Sequence, residues 1–170
     1  MIRPRRLRAL DGDAPVDADV PFEQWVEPHW SAMRRLAERL AGPGHRDDVL
    51  QEALAAAWRS RSRFDAQRGT ARTWLLSITA NHAKKALRAT RRHEPLEDVP
   101  VEPAPGHRID LERAIRALPD RQHIAVELCY FVGLPLADAA AVMGCAEGTV
   151  KSTLAAARAN LRSTLGEDYR

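Results

Sequence analysis

Short hydroxyls and cations recur at helical spacing near the C-terminal end of this chain. Thr149, Ser152, Thr153 and Ala156 follow one another at steps of three, one and three, which places them on one side of a helix. Side chains that small let a helix enter a groove about 12 Å wide, where hydroxyls reach base edges. Lys151, Arg158 and Arg162 flank that side, in positions where a cation meets phosphate rather than base. Val150, Leu154, Ala157 and Leu161, at steps of four, three and four, form an apolar stripe facing a core. Gly144 parts this helix from a shorter one over Leu136 to Met143. Ala140 permits close helix crossing, Gly144 makes the turn and Val150 anchors the second helix. The pattern is a helix-turn-helix suited to duplex DNA, with a surface helix of an ordinary bundle as the plainer alternative. Ala146, just ahead of Glu147, offers that second helix no side-chain cap.

A different chemistry lies in the middle of the chain. In ARTWLLSITANHAKKALRATRR, Leu75, Ile78 and Ala86 form one apolar flank and Leu76, Ala80, Ala83 and Leu87 another. Between them Trp74, Asn81, Lys85, Arg88 and Arg92 line up over roughly 27 Å at 1.5 Å per residue. An aromatic and an amide in register with cations suit a single nucleic-acid strand, which offers stackable bases and a charged backbone. The preceding loop, RSRFDAQRGT, adds Arg61, Arg63, Phe64 and Arg68, an aromatic among cations able to cradle an unstacked base.

The helix before that loop, DDVLQEALAAAWR, buries Leu50, Ala53, Leu54, Ala57 and Trp58 by its spacing. Asp48, Gln51 and Glu52 make a compact acceptor-rich patch on the other face, and Asp47 and Asp48 stand near the positive end of the helix dipole. Solvation with N-terminal capping accounts for such a patch; so does a docking face for a partner helix bearing Arg or Lys.

Helices predicted at about 21–41, 46–61, 71–92, 110–117, 120–132, 136–143 and 147–165 carry these groups, and no stretch keeps strand period for long enough to count. The fold class is all-α. Charge marks the organisation: the net is only +3, but residues 58–93 carry ten bases against Asp65 alone, while 94–112 hold six acids against Arg108. Pro95, Pro100, Pro103 and Pro105 make the acidic stretch too proline-dense for a helix. It reads as an extended linker over 94–109 between two small helical domains, 21–93 and 110–170, with residues 1–20 a disordered tail.

Several function classes fall away. No apolar run approaches the roughly 18 residues of a membrane span, and the N-terminus lacks a secretory signal, so a cytoplasmic protein is expected. Cys129 and Cys145 lie apart without a CxxC pair, which favours reduced core thiols over a disulfide or a zinc site. No metal, cofactor or small-molecule substrate is expected, and His29, His45, His82, His93, His107 and His123 are too scattered for a catalytic set.

DDVLQEALAAAW, the Arg63-Phe64 pair, WLLSITAN, LPDR and the GTVKS of Gly148 to Ser152 followed by Ala157-Arg158 resemble the extracytoplasmic-function sigma factors of bacterial RNA polymerase. The resemblance covers most of residues 20–165, with independent motifs on both sides of the linker. It implies a three-helix-type bundle corresponding to sigma region 2 and a helix-turn-helix corresponding to region 4. Asp48, Gln51 and Glu52 would dock on the β′ clamp helices of core polymerase, with the β flap a further contact. Arg63, Phe64, Trp74, Asn81, Lys84, Lys85 and Arg88 would hold the opened minus-ten strand. Thr149, Lys151, Ser152, Thr153, Arg158 and Arg162 would meet the minus-thirty-five duplex, and an anti-sigma factor is an expected regulator. The chain itself would be non-catalytic. Where many relatives carry Arg after the Lys-Ser pair and more bases in the next turn, this chain has Thr153, Ala155 and Ala156, so fewer phosphate contacts and a shallower salt dependence are expected of region 4. A free-standing helix-turn-helix regulator would need only residues 109–165, and would bind its operator without polymerase. A nucleic-acid-processing enzyme would need a catalytic cluster.

Overall fold

A computed structural model describes residues 20–93 and 107–165, and among them every regular element is a helix. The predicted first helix is divided. Phe22–Val26 forms α1, a 3-10 turn follows over Glu27–His29, and α2 runs Trp30–Ala41. Pro28 in the turn has no N–H for the helical ladder, so one continuous helix cannot pass through it. Gly42, at φ +81°, ends α2.

α3 covers Arg46–Ser60 and α4 covers Ala71–His93, close to expectation. Thr70 starts α4: its Oγ1 accepts the Thr73 N–H at 3.2 Å and its carbonyl the Trp74 N–H at 3.0 Å. Met33, Leu36, Leu40, Leu50, Leu75, Leu76 and Ala83 fill the space between α2, α3 and α4. Both predicted apolar flanks of α4 are thus covered, fully at Leu75, Leu76, Ala80 and Ala83 and in part at Ile78, Ala86 and Leu87.

In the second half, α5 covers His107–Ala117, so the expected linker is shorter than 94–109 at its C-terminal end. Residues 94–106 and the tail 1–19 lie outside the described residues. α6 runs Asp120–Val126 and continues without a gap into a π-helical turn over Glu127–Phe131, so the single helix expected there keeps its span but widens in its last five residues. α7, Leu136–Met143, and α8, Glu147–Leu165, match the reading. Gly144 takes φ +62°; its N–H reaches the Ala141 carbonyl at 3.3 Å and the Cys145 N–H the Ala140 carbonyl at 3.0 Å, a Schellman ending that turns the chain into α8. Val150, Leu154 and Ala157 are buried and Leu161 packs against them, while α5, α6 and α7 all pack on α8.

The proline-rich stretch divides the sequence, but the two halves touch. α2 meets the π turn and α4 packs along α7. Arg39 of α2 reaches Glu112 of α5 and Glu127 of the π turn, and Arg88 of α4 lies 3.2 Å from Asp120 of α6. Glu127 is fully buried, and Nε2 of the equally hidden His123 stands 3.4 Å from its Oε1, an ion-pair distance too long for a good hydrogen bond. Burial alone would push the Glu127 carboxyl up, but His123 and Arg39 outweigh it and hold the group below the usual carboxylate range. Burial likewise opposes the charge on Arg39; its bonds to Glu127 and Glu112 prevail and raise the guanidinium above its ordinary value. Cys129 and Cys145 are free thiols, and burial pushes the Cys129 thiol up. No helix among the described residues is long and apolar enough to cross a membrane.

Candidate nucleic-acid and polymerase interfaces

α4 brings Asn81, Lys84, Lys85 and Arg88 to one open pocket of about 390 Å³. Asn81, Lys85 and Arg88 are exposed and Lys84 half-buried, so one amide and three cations face solvent along a rigid helix. Arg92 lies beyond the residues whose side chains are described. The arrangement can hold a polyanionic strand by charge and offer an amide to a base edge.

Trp74 belongs elsewhere. It was expected on this exposed stripe, but it is half-buried in an aromatic cluster: Phe64 stands 5.4 Å from it and Trp25 6.4 Å, with Trp25 and Phe64 edge to face at 5.5 Å. One turn into α4, an indole this large gains more from apolar neighbours than from water. Phe64 is therefore part of a wall rather than a projecting platform. Together with Arg63, Arg68, Gly69, Thr73, Trp74 and Ser77 it lines a second pocket of about 310 Å³. Asp65 shapes that loop, accepting the Gln67 N–H at Oδ1 (2.9 Å) and the Arg68 N–H at its carbonyl (3.0 Å). A recess with an aromatic wall and cations at its rim accommodates one unstacked base.

Trp58 reverses the expectation in the other direction. It sits in the last turn of α3 and is 46% exposed, not buried. Arg61 covers one ring face at 3.6 Å and Phe22 meets its edge at 5.4 Å, so neighbouring side chains shield it in place of a core.

Asp48, Gln51 and Glu52 all face solvent on α3. Glu52 Oε2 lies 2.9 Å from His82 Nδ1, and that hydrogen bond, with the charges of Lys85 and His82, holds the carboxyl below its ordinary value. The acceptor patch and the cationic stripe are thus adjacent faces of α3 and α4, bridged by His82, a residue the sequence reading left unassigned.

On α8 the predicted DNA face is open. Ser152, Arg158 and Arg162 are exposed, and Thr149 and Thr153 half-exposed. The hydroxyls of Ser152 and Thr153 donate to the Thr149 carbonyl at 3.0 and 2.7 Å, which leaves their oxygen lone pairs free to accept from a base. Lys151 folds back to Glu147 at 2.9 Å. That pair, i to i+4 and well exposed, is weak enough to yield to phosphate. Among the described residues, no group of three or more His, Cys, Asp or Glu could hold a metal ion.

Comparison with known proteins places both halves of the chain in one family. Residues 25–93 match the model of Sigma-70 region 2, and residues 108–161 that of Sigma-70, region 4. The chain is 37% identical over 154 residues to the ECF RNA polymerase sigma factor SigM of Mycobacterium tuberculosis, covering 85% of this chain and 77% of the relative. With SigF of Caulobacter vibrioides, another ECF RNA polymerase sigma factor, it shares 34% over 158 residues, 87% of this chain and 84% of the other. Among solved structures it is similar to the sigma factor RpoE of Bartonella quintana in complex with the anti-sigma factor NepR, with a TM-score of 0.66, 27% identity and coverage of 86% and 98%. CnrH in complex with the cytosolic domain of CnrY gives a TM-score of 0.65 at 27% identity, over 86% and 88%. The chain belongs to the extracytoplasmic-function sigma factors, non-catalytic subunits that direct RNA polymerase to specific promoters.

Proposed function

We propose a division of labour in which residues 21–93 act as region 2, docking on core polymerase and capturing the opened minus-ten strand, while the residues from His107 onward act as region 4 and read the minus-thirty-five duplex. The observation that carries it is the separation of chemistries: an acceptor patch on α3, an amide-and-cation stripe on α4 beside an aromatic-walled recess, and a hydroxyl-rich face on α8. Asp48, Gln51 and Glu52 meet the β′ clamp helices, and region 4 contacts the β flap. Asn81, Lys84, Lys85 and Arg88 track the non-template strand, and the recess of Arg63, Phe64 and Trp74 receives a flipped base. Phe64 and Trp74 act there as walls, in keeping with their partial burial. Thr149, Ser152 and Thr153 approach base edges, with Lys151, Arg158 and Arg162 on phosphates.

The chain works in the cytoplasm, where its polymerase and promoters are. An anti-sigma factor is a further partner, a reading supported by a structural neighbour being a sigma factor in complex with the anti-sigma factor NepR. Run-off transcription with purified core enzyme on genomic promoter fragments tests the proposal. A defined start site that depends on this chain is expected; core binding without a defined start would refute it.

A further inference from the structure

One side chain that neither interface claims stands between two of them. His82 follows Asn81 on α4, and its Nδ1 lies 2.9 Å from Glu52 Oε2 where α3 packs on α4. A carboxyl held below its ordinary value is ionised near neutrality and can only accept, so Nδ1 carries the hydrogen and donates. The His82 side chain is 25% exposed and that of Glu52 60%. The donor is thus largely covered, on a helix whose neighbouring Thr79, Ala80 and Ala83 are buried, whereas the acceptor stands out in solvent.

Left to itself, an exposed glutamate on a helix samples about two χ1 wells and three χ2 wells, about six arrangements in all. A partner cation needs one of them, and apparent affinity falls by the fraction of chains that hold it. Asp48, one turn earlier on the same exposed face, adds a like charge that turns Glu52 aside. The bond from His82 opposes that, and the charge of Lys85 on the same helix draws the carboxylate the same way. Only Oε2 is taken by His82, which leaves Oε1 to accept from a cation outside the chain. A pair this exposed adds little to folding, so its effect lies in what it orients.

We propose that His82 is a positioning residue for core polymerase: it holds Glu52 toward the β′ clamp helices with Oε1 open to an Arg or Lys of that partner. The inference rests on the assignment of Asp48, Gln51 and Glu52 to core docking. It gives α4 a part in both interfaces, since Asn81 is assigned to the strand while His82 beside it serves α3.

Interferometry of the full chain on immobilised core polymerase, without DNA, tests the proposal. His82→Ala is expected to weaken core affinity about three- to sixfold, the factor set by the arrangements that Glu52 regains. The sign matters most. If His82 merely competed with the partner for Glu52, its removal would strengthen binding, so a gain, or a loss below about twofold, overturns the proposal. His82→Asn sets an amide N–H in place of the Nδ1–H and is expected to keep affinity within about twofold of wild type; a loss as large as that of His82→Ala overturns the hydrogen-bond role. Glu52→Ala separates the two readings. If it leaves affinity unchanged, the docking assignment fails and the positioning role with it; if it weakens binding while His82→Ala does not, docking stands and positioning alone fails. With Glu52→Ala already in place, His82→Ala should cost nothing further, and an undiminished loss there overturns action through Glu52.

Discussion

Replacing Lys84, Lys85 and Arg88 together with Gln removes three charges from the pocket that α4 presents, and leaves the apolar flanks at Leu75, Leu76, Ala80 and Ala83 intact. Each phosphate contact on a single strand contributes about 0.7 to the slope of log affinity against log salt, so the triple variant loses about 2 units. Raising salt from about 50 to about 200 mM changes its logarithm by about 0.6. The wild-type holoenzyme should therefore lose about 18-fold more affinity across that range than the variant does. Arg88 faces Asp120 at 3.2 Å, so phosphate has to compete with that carboxylate for its share. The assay is fluorescence anisotropy of reconstituted holoenzyme on a forked promoter fragment with a single-stranded minus-ten segment, titrated with salt. A slope difference under about 0.7, less than one contact, would refute the reasoning that α4 carries the strand.

Asn81→Ala removes the exposed amide proposed to meet a base, worth about 1 kcal/mol or about fivefold, and should slow open-complex formation seen by permanganate reactivity while sparing duplex binding; equal loss in both assays counts against the role. Glu52→Lys reverses the charge beside His82 and Lys85 and should abolish association with core polymerase in a pull-down or interferometry assay, an expectation that unchanged affinity contradicts. The Glu127 carboxyl is held below its ordinary value of 4.5 in the folded chain, so its contribution is fully present above about that pH and is lost as pH falls through the depressed folded value. The denaturation midpoint of the wild type should exceed that of Glu127→Gln near neutrality, and the gap should narrow as pH drops below 4.5. A gap that does not change with pH removes Glu127 as a charged partner.

The helix-turn-helix was legible because local rules suffice for it. Gly144 had to turn, Val150 and Leu154 had to point inward, and Thr149 and Ser152 followed by periodicity. α4 yielded its polar stripe for the same reason. Trp58 and Trp74 did not, because helical period fixes which side of a helix a residue occupies but not which elements cover that side. Trp25 of α1 and the Phe64 loop come over Trp74, while Phe22 and Arg61 come over Trp58 and still leave it 46% exposed. The bridge from Arg39 to Glu112 and Glu127 was missed altogether. Its one local signal was Glu127 as the single acid in the apolar run IAVELCYFVGL, a position that calls for a buried cation. Nothing local singles out Arg39, which lies 88 residues away among other arginines of an amphipathic helix.

Site-specific photo-crosslinking within one holoenzyme–promoter complex tests the division of labour most directly. A crosslinker replacing Lys85 should map to the non-template strand of the minus-ten element, and one replacing Ser152 to the minus-thirty-five duplex about 25 base pairs upstream, roughly 85 Å away. Crosslinks from both positions to the same element, or from neither position to promoter DNA, would contradict the account.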